Sequence, residues 1–505
     1  MKRLAALLLL TLAGAPVLAQ SALAQSTLGE RIDQHIGQPR FAAASWGIEI
    51  VSLRSGRVVY AHDADKLLLP ASTTKLYTAA LALETFGADY RIPTQLRASG
   101  GVSGGRLGGS LILVGHGDPT LGVEPATQDW PDRFADALKA QGVREVGGDL
   151  IADDSYFATP VAGSGWEAID LQSYFAATPS ALSIDENVVE VTVAPGAAPD
   201  RAARIGFDPA DAAMPLVNRL VTSAAGSRAD LNLYRSPGAP TLYAFGGIPA
   251  RAPAQRFRLS VADPALLAGE RLMRALAGRG IRIDGRVRSL HWPATDPLSG
   301  RIDLPLIAEA LSPPLAEIVR SGLKRSQNLY LQNLLLLTGA RMQASDAQGD
   351  TPASGFVTTE TWGIRALNAM LDRIGISPSA TLLEEGTGLS RRDLTTAGAL
   401  TKLLVHMDTQ PSAAVFRDAL PVAGIDGSLM WRMKNTPAEG NVQAKTGSMA
   451  YVHALAGYVT DATGERYAFA IMLNNYQPPA RGAGVPSPSA DVDAIATILA
   501  GSKAP

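Results

Sequence analysis

The two stretches best equipped for chemistry lie at opposite ends of the chain. Ser72-Thr73-Thr74-Lys75 stands near the start, and Lys445-Thr446-Gly447-Ser448 near the end. On a helix, residues three apart share a face, so the Ser72 hydroxyl and the Lys75 amine can meet. A hydroxyl is a weak nucleophile near neutral pH and needs an adjacent base. Lysine serves as that base only if its pKa falls, through desolvation or a neighbouring cation, and Lys445 is a candidate for the cation. A chain that uses both stretches together must fold so that its ends form one domain.

The coarse patterning fits such a fold. Residues 28–36 read as a short amphipathic helix and 45–53 alternate as a strand. The run 72–87 reads as a helix, with Leu76, Ala79, Ala80 and Leu83 at helical spacing, Ser72 as N-cap and Gly87 as stop. From about 91 to 258 the texture becomes Gly-rich and Pro/Ala-rich, with short strands at 111–114, 147–157 and 187–196. Helical patterning returns at 265–279 and again at 307–337. Near the C-terminus three antiparallel strands, two of them joined by a turn at 461–465, precede a closing helix. We therefore expect a catalytic domain from 25–90 plus 259–505 and a β-rich insert at 91–258, in one or two subdomains.

Residues 1–24 read as a cleavable secretory leader: Lys2 and Arg3, an apolar run from Leu4 to Ala13, then small residues allowing cleavage after Ala19 or Ala24. That run is too short to span a bilayer. An exported, periplasmic protein without a transmembrane anchor is expected. The formal net charge of −2 gives no reason to expect nucleic acid or an anionic membrane as partner. The chain has 0 cysteines, which removes disulfides and thiol catalysis together. With 505 residues, 46% of them hydrophobic, it can bury a large core without such staples.

S-x-x-K alone is a weak signal. Ser321-Gly322-Leu323-Lys324 is a second match, inside a helical pattern with Arg320 and Arg325 beside it, and reads as a solvated helix face. Ser326-Gln327-Asn328 adds a hydroxyl suited to relaying protons and an amide suited to orienting Lys75 and a substrate carbonyl. Lys445 can attract an anionic substrate end, Thr446 can bind a carboxylate, and Gly447 lets a substrate backbone approach the strand edge. Each motif by itself is outweighed by a bland reading. All three in this order, on helix, turn and strand, are a strong signal of a serine acyl-transfer site.

The set resembles the penicillin-binding proteins and serine β-lactamases. More narrowly it resembles the D-alanyl-D-alanine carboxypeptidase/endopeptidases, the low-molecular-mass class C penicillin-binding proteins of peptidase family S13. The long gap from Lys75 to Ser326 matches that family's insert, as do the stretches at 117–121, 165–189, 384–394, 420–433 and 442–449. Gln327 replaces the usual Asp, and Glu385 and Thr387 stand where Asp and Ser are usual. The resemblance implies the transpeptidase-type α/β fold, an antiparallel sheet flanked by helices, with a large β-rich insertion. It implies Ser72 as acylated nucleophile, Lys75 as general base, Ser326 and Asn328 in proton relay and orientation, and Lys445 and Thr446 on the terminal carboxylate. Gly447 and Ser448 continue that wall, with the backbone N–H groups of Ser72 and Ser448 as oxyanion hole. Asp170, and Arg391 beside Arg392, would face the substrate's diaminopimelate end. Peptidoglycan peptides would be substrates and β-lactams inhibitors.

Other chemistries find less support. Gly101-Val102-Ser103-Gly104-Gly105 matches a hydrolase elbow, but a Gly-rich run leading into a strand is the wrong context. The 6 histidines are scattered, His453 reads as an ordinary strand position, and no zinc or nucleotide motif occurs, so no cofactor is expected. Two competing functions remain: a β-lactamase of the same fold, for which no dedicated deacylating base stands out, and a catalytically idle peptidoglycan- or partner-binding protein. Oligomeric state is not legible.

Overall fold

The computed structural model describes residues 27–503 apart from 124, 161, 295, 302, 347–355 and 479–485. The expected leader, residues 1–24, lies outside the described residues. A five-stranded antiparallel sheet organises the catalytic part, in the order Val58–His62, Ser45–Ser52, Arg466–Asn474, Val452–Thr460 and Gln443–Met449. N- and C-terminal segments thus meet strand to strand, Ser45 opposite Asn474 and Ser52 opposite Tyr467.

The period-2 alternation of the central strands sends successive side chains into two different cores. Ala454, Ala456, Ala468 and Ala470 enter the core shared with the helix Lys75–Phe86. Leu455, Val459, Phe469, Ile471 and Leu473 enter the core on the other face, with the helices Leu28–Ile36 and Pro488–Ala500. The helix that starts at Lys75 is buried from Lys75 through Leu83. Its spacing suggested one apolar face, but a central helix surrounded by packed elements is apolar on all sides.

The inserted part holds more than short antiparallel strands. Leu111–Gly115 pairs in parallel with Leu150–Asp153, and the helix Trp130–Ala140 crosses between them. The same sheet takes in Pro93–Ala98 and, from beyond residue 258, Val287–Leu290 and Leu306–Leu311. The helix Pro264–Gly278 packs into the core of this part, which runs from Leu96 to Ala310. The segments 264–278, 287–290 and 306–311, placed by sequence with the catalytic domain, therefore pack with the insert. The helical pattern at 307–337 resolves into the strand Leu306–Leu311 and two helices, Leu315–Lys324 and Asn328–Asp346. No helix among the described residues is long and apolar enough to cross a membrane.

Candidate active site

Ser72 lies in a 3₁₀ turn, Ala71–Thr74, ahead of the buried helix. It is not the N-cap: no side chain caps this helix. Its hydroxyl instead accepts a hydrogen bond from Lys75 Nζ at 2.8 Å. The approach is held on both sides. The Asn474 amide bonds Leu69 N at 2.9 Å and Leu69 O at 3.1 Å, and Thr73 Oγ1 donates to Pro70 O at 2.8 Å. Ala71 adopts a left-handed φ of 46°, a conformation that costs an alanine energy and that the packed surroundings must enforce.

Lys75 is 0% exposed, and its amine also donates to Thr387 O at 2.7 Å. Burial lowers its pKa to about 7, while Glu385 and Asp393 push back upwards. The lowering comes from desolvation and not from the expected neighbouring cation; the charge effect between the two lysines falls on Lys445. Glu385 organises the loop that supplies the Thr387 carbonyl. Its carboxylate accepts from the backbone N–H groups of Thr387, Gly388 and Leu389 at 2.9, 2.5 and 3.0 Å, and from the Trp166 indole at 3.2 Å. Gly388, at φ 78°, passes so close that a Cβ would sit 1.9 Å from Ala71 O.

Ser326 is the middle of the three-residue connection between the helices ending at Lys324 and starting at Asn328, with φ 56°. Lys445, on the edge strand Gln443–Met449, donates to Ser326 Oγ and to Thr446 O, both at 2.8 Å. Lys445 is 0% exposed, and burial, then Lys75 and Arg432, hold its pKa well below the ordinary lysine value. Asn328 Nδ2 donates to Phe175 O at 2.6 Å, from the insert. The Thr446 hydroxyl shares a 2.7 Å hydrogen bond with Ser428 Oγ. At Gly447 a Cβ would lie 2.5 Å from Pro70 O, so the glycine is required by the Ser72 turn itself, not only by an incoming substrate.

Ser72, Ser326, Asn328, Ser448, Asp170 and Arg391 line one cleft of about 560 Å³, with Tyr174 and Phe175. Asp170 is half-buried, and its pKa is raised by desolvation first and then by Glu167. Arg391 is ion-paired to Glu167. The second S-x-x-K lies elsewhere. Its Lys324 is not solvated as expected but paired to Asp426 at 2.6 Å with a side chain only 13% exposed. No cluster of potential metal ligands occurs among the described residues. Sequence reasoning did not single out Ser428, Phe175 or the anchoring role of Glu385. Each sits inside a stretch quoted for its resemblance; Ser428 and Phe175 have partners further along the chain, while the bonds of Glu385 are mostly local and follow from a loop conformation that no period records.

The fold agrees with solved relatives. Penicillin binding protein 4 (dacB) from Haemophilus influenzae superposes with a TM-score of 0.79 at 24% identity, covering 94% of this chain and 99% of that one. In sequence, a D-alanyl-D-alanine carboxypeptidase of Actinomadura sp. (strain R39) is 36% identical over 98% of this chain and 88% of its own length. The D-alanyl-D-alanine carboxypeptidase DacB of H. influenzae is 27% identical over 84% of each chain. Residues 28–492 match the D-Ala-D-Ala carboxypeptidase 3 (S13) family, and with a relative of that identity over nearly the whole length, the chain belongs to this family.

Proposed function

We propose that the protein is an exported serine DD-peptidase acting on peptidoglycan stem peptides. The observation that carries this reading is the fully buried Lys75 amine, 2.8 Å from Ser72 Oγ and with a pKa near 7. An amine so placed is substantially free base at neutral pH. It takes the hydroxyl proton as Ser72 Oγ attacks the D-Ala–D-Xaa carbonyl carbon. The backbone N–H groups of Ser72 and Ser448 receive the developing oxyanion. When the C–N bond breaks, the leaving amine collects the proton by way of Ser326 Oγ, and Asn328 orients the substrate. Lys445 and Thr446 take the terminal carboxylate, and an anion arriving there favours the charged form of Lys445. Water then hydrolyses the ester to the shortened peptide and free Ser72.

The terminal amine expelled is D-Ala in a carboxypeptidase step and a diaminopimelate-linked peptide in an endopeptidase step. The family supports the first, and the open cleft with Asp170 and Arg391 at its mouth supports the second. A β-lactam acylates Ser72 and stays bound as a ring-opened ester. The leader at 1–24 directs the chain to the compartment where peptidoglycan lies. Mass spectrometry of purified monomeric and crosslinked muropeptides after incubation tests the reading. Loss of D-Ala and cutting of crosslinks by the native protein, and neither by Ser72→Ala, are the expected results. Intact muropeptides with folded native protein would overturn it.

A further inference from the structure

Gln327 sits where a carboxylate is usual in this motif, yet a carboxylate is present at the place. It comes from the insert. Glu186 is 5% exposed and accepts from Gln327 Nε2 at 2.7 Å and from Tyr330 OH at 3.0 Å. Arg325 reaches the same carboxylate with both terminal nitrogens, at 2.9 and 2.6 Å, and Arg258 approaches it at 3.4 Å. Arg325, Gln327 and Tyr330 bracket Ser326, so one buried anion ties down the residues on either side of the turn. Glu186 is held in place by a left-handed run: Asp185, Glu186 and Asn187 have φ values of 50°, 57° and 56°. A further insert residue reaches the end of the turn, Phe175 O accepting from Asn328, and Arg258, whose guanidinium stacks on Tyr174 at 4.6 Å, braces Glu186 from within the insert.

We propose that Glu186 is a positioning residue for the acylation reaction. It acts through Gln327 and Arg325 to hold Ser326 in its left-handed conformation, with its hydroxyl on Lys445. The insert thereby completes the catalytic turn and is not only a substrate wall. Non-Gly residues persist at positive φ only when the surroundings over-determine them, and charge-assisted hydrogen bonds to a buried carboxylate are strong enough to do so. This inference rests on Ser72 acylation, proposed above.

The test is the rate of covalent labelling by a fluorescent penicillin, resolved into saturating rate and half-saturating concentration, alongside Tm. Glu186→Gln is expected to lower the saturating rate roughly 10- to 100-fold, the scale of a misplaced catalytic group, with half-saturation within about 3-fold of native. Relocating the charge in Glu186→Gln/Gln327→Glu restores the rate to within about 5-fold of native, because the amide–carboxylate pair is re-formed with its ends exchanged. A merely structural role would not show this rescue at unchanged Tm. Labelling of Glu186→Gln at the native rate, or a double variant no faster than the single one, would overturn the inference. If Glu186→Gln does not fold, Gln327→Met removes one bond and keeps the carboxylate. A several-fold slower saturating rate is then expected, and a native rate would overturn the proposal. Native protein that takes no label at all defeats the acylation reading instead, so the two failures are distinguishable.

Discussion

Two buried lysines hold the two serines of the cleft in closely matched settings. Lys75 and Lys445 are both 0% exposed, each donates to a serine hydroxyl at 2.8 Å, and each donates to a backbone carbonyl, at 2.7 and 2.8 Å. Their electrostatic surroundings are opposite. Around Lys75 the acting charges are the carboxylates Glu385 and Asp393, which return part of what desolvation takes away. Around Lys445 they are cations, Lys75 and Arg432, which add to desolvation. Equal burial and equal hydrogen bonding therefore do not make equal bases. The carboxylates leave Lys75 poised near neutrality, as a general base requires. The cations leave Lys445 short of a counter-ion, which the carboxylate end of a substrate can supply.

The sharpest way to break this comparison is to remove each amine in turn. Lys75→Met is expected to slow penicillin acylation about 10³-fold or more, as loss of an activating base does. Below pH 7 the buried ammonium is a cost. From about 7 up to 10.5 the unfolded chain holds a proton at this position that the folded protein lacks, so stability rises with pH across that window. Lys75→Met should accordingly raise Tm more at pH 6 than at pH 9.5, measured by calorimetry. Lys445→Met is expected to act chiefly on substrates that carry a carboxylate, lowering kcat/KM about 10²-fold, the scale of a lost buried charge pair. Carboxylate-free esters, assayed in parallel, should lose much less.

Glu385→Gln sharpens the other half of the contrast. Without that negative charge the Lys75 ammonium is less favoured, so the acid limb of the acylation rate should move to lower pH, by about one unit. No movement would mean that the carboxylate does not set the base. Gly447→Ala addresses the geometry. A methyl group against Pro70 O must push the edge strand off the Ser72 turn. A stability loss of about 1–3 kcal/mol in urea unfolding is expected, with slower acylation. The smallest effect belongs to Lys324→Met in the second S-x-x-K. Asp426 is 39% exposed and stays solvated when its partner is lost, so removing the largely buried Lys324 amine should cost about 1 kcal/mol and leave labelling within about 2-fold.

The contrast between the lysines was only half legible in the sequence. Ser72, Lys75, Ser326, Asn328 and Lys445 are visible because their spacing and order are local or motif-like. The sheet joining both chain ends is visible because alternation has a short period. The charges that separate the two amines come from residues 385, 393 and 432, whose proximity is a product of tertiary packing. Likewise, Ser72 satisfies the local pattern of an N-cap, yet the competing 3₁₀ turn and the Lys75 amine claim its hydroxyl. The parallel pairing at Leu111–Gly115 and Leu150–Asp153 was hidden because their short apolar runs also suit antiparallel strands. The packing of 264–278, 287–290 and 306–311 with the insert depends on pairings with strands far back in the chain, which no local period records.

The most direct measurement is a pH titration of the Lys75 side chain in the native protein, by NMR of ¹³Cε-labelled lysine with the resonance assigned by loss in Lys75→Met. A midpoint close to 7 in the uninhibited enzyme is the result the account predicts. A Lys75 resonance that stays in the ammonium form above pH 9 would contradict it, since Ser72 would then lack its base at neutral pH.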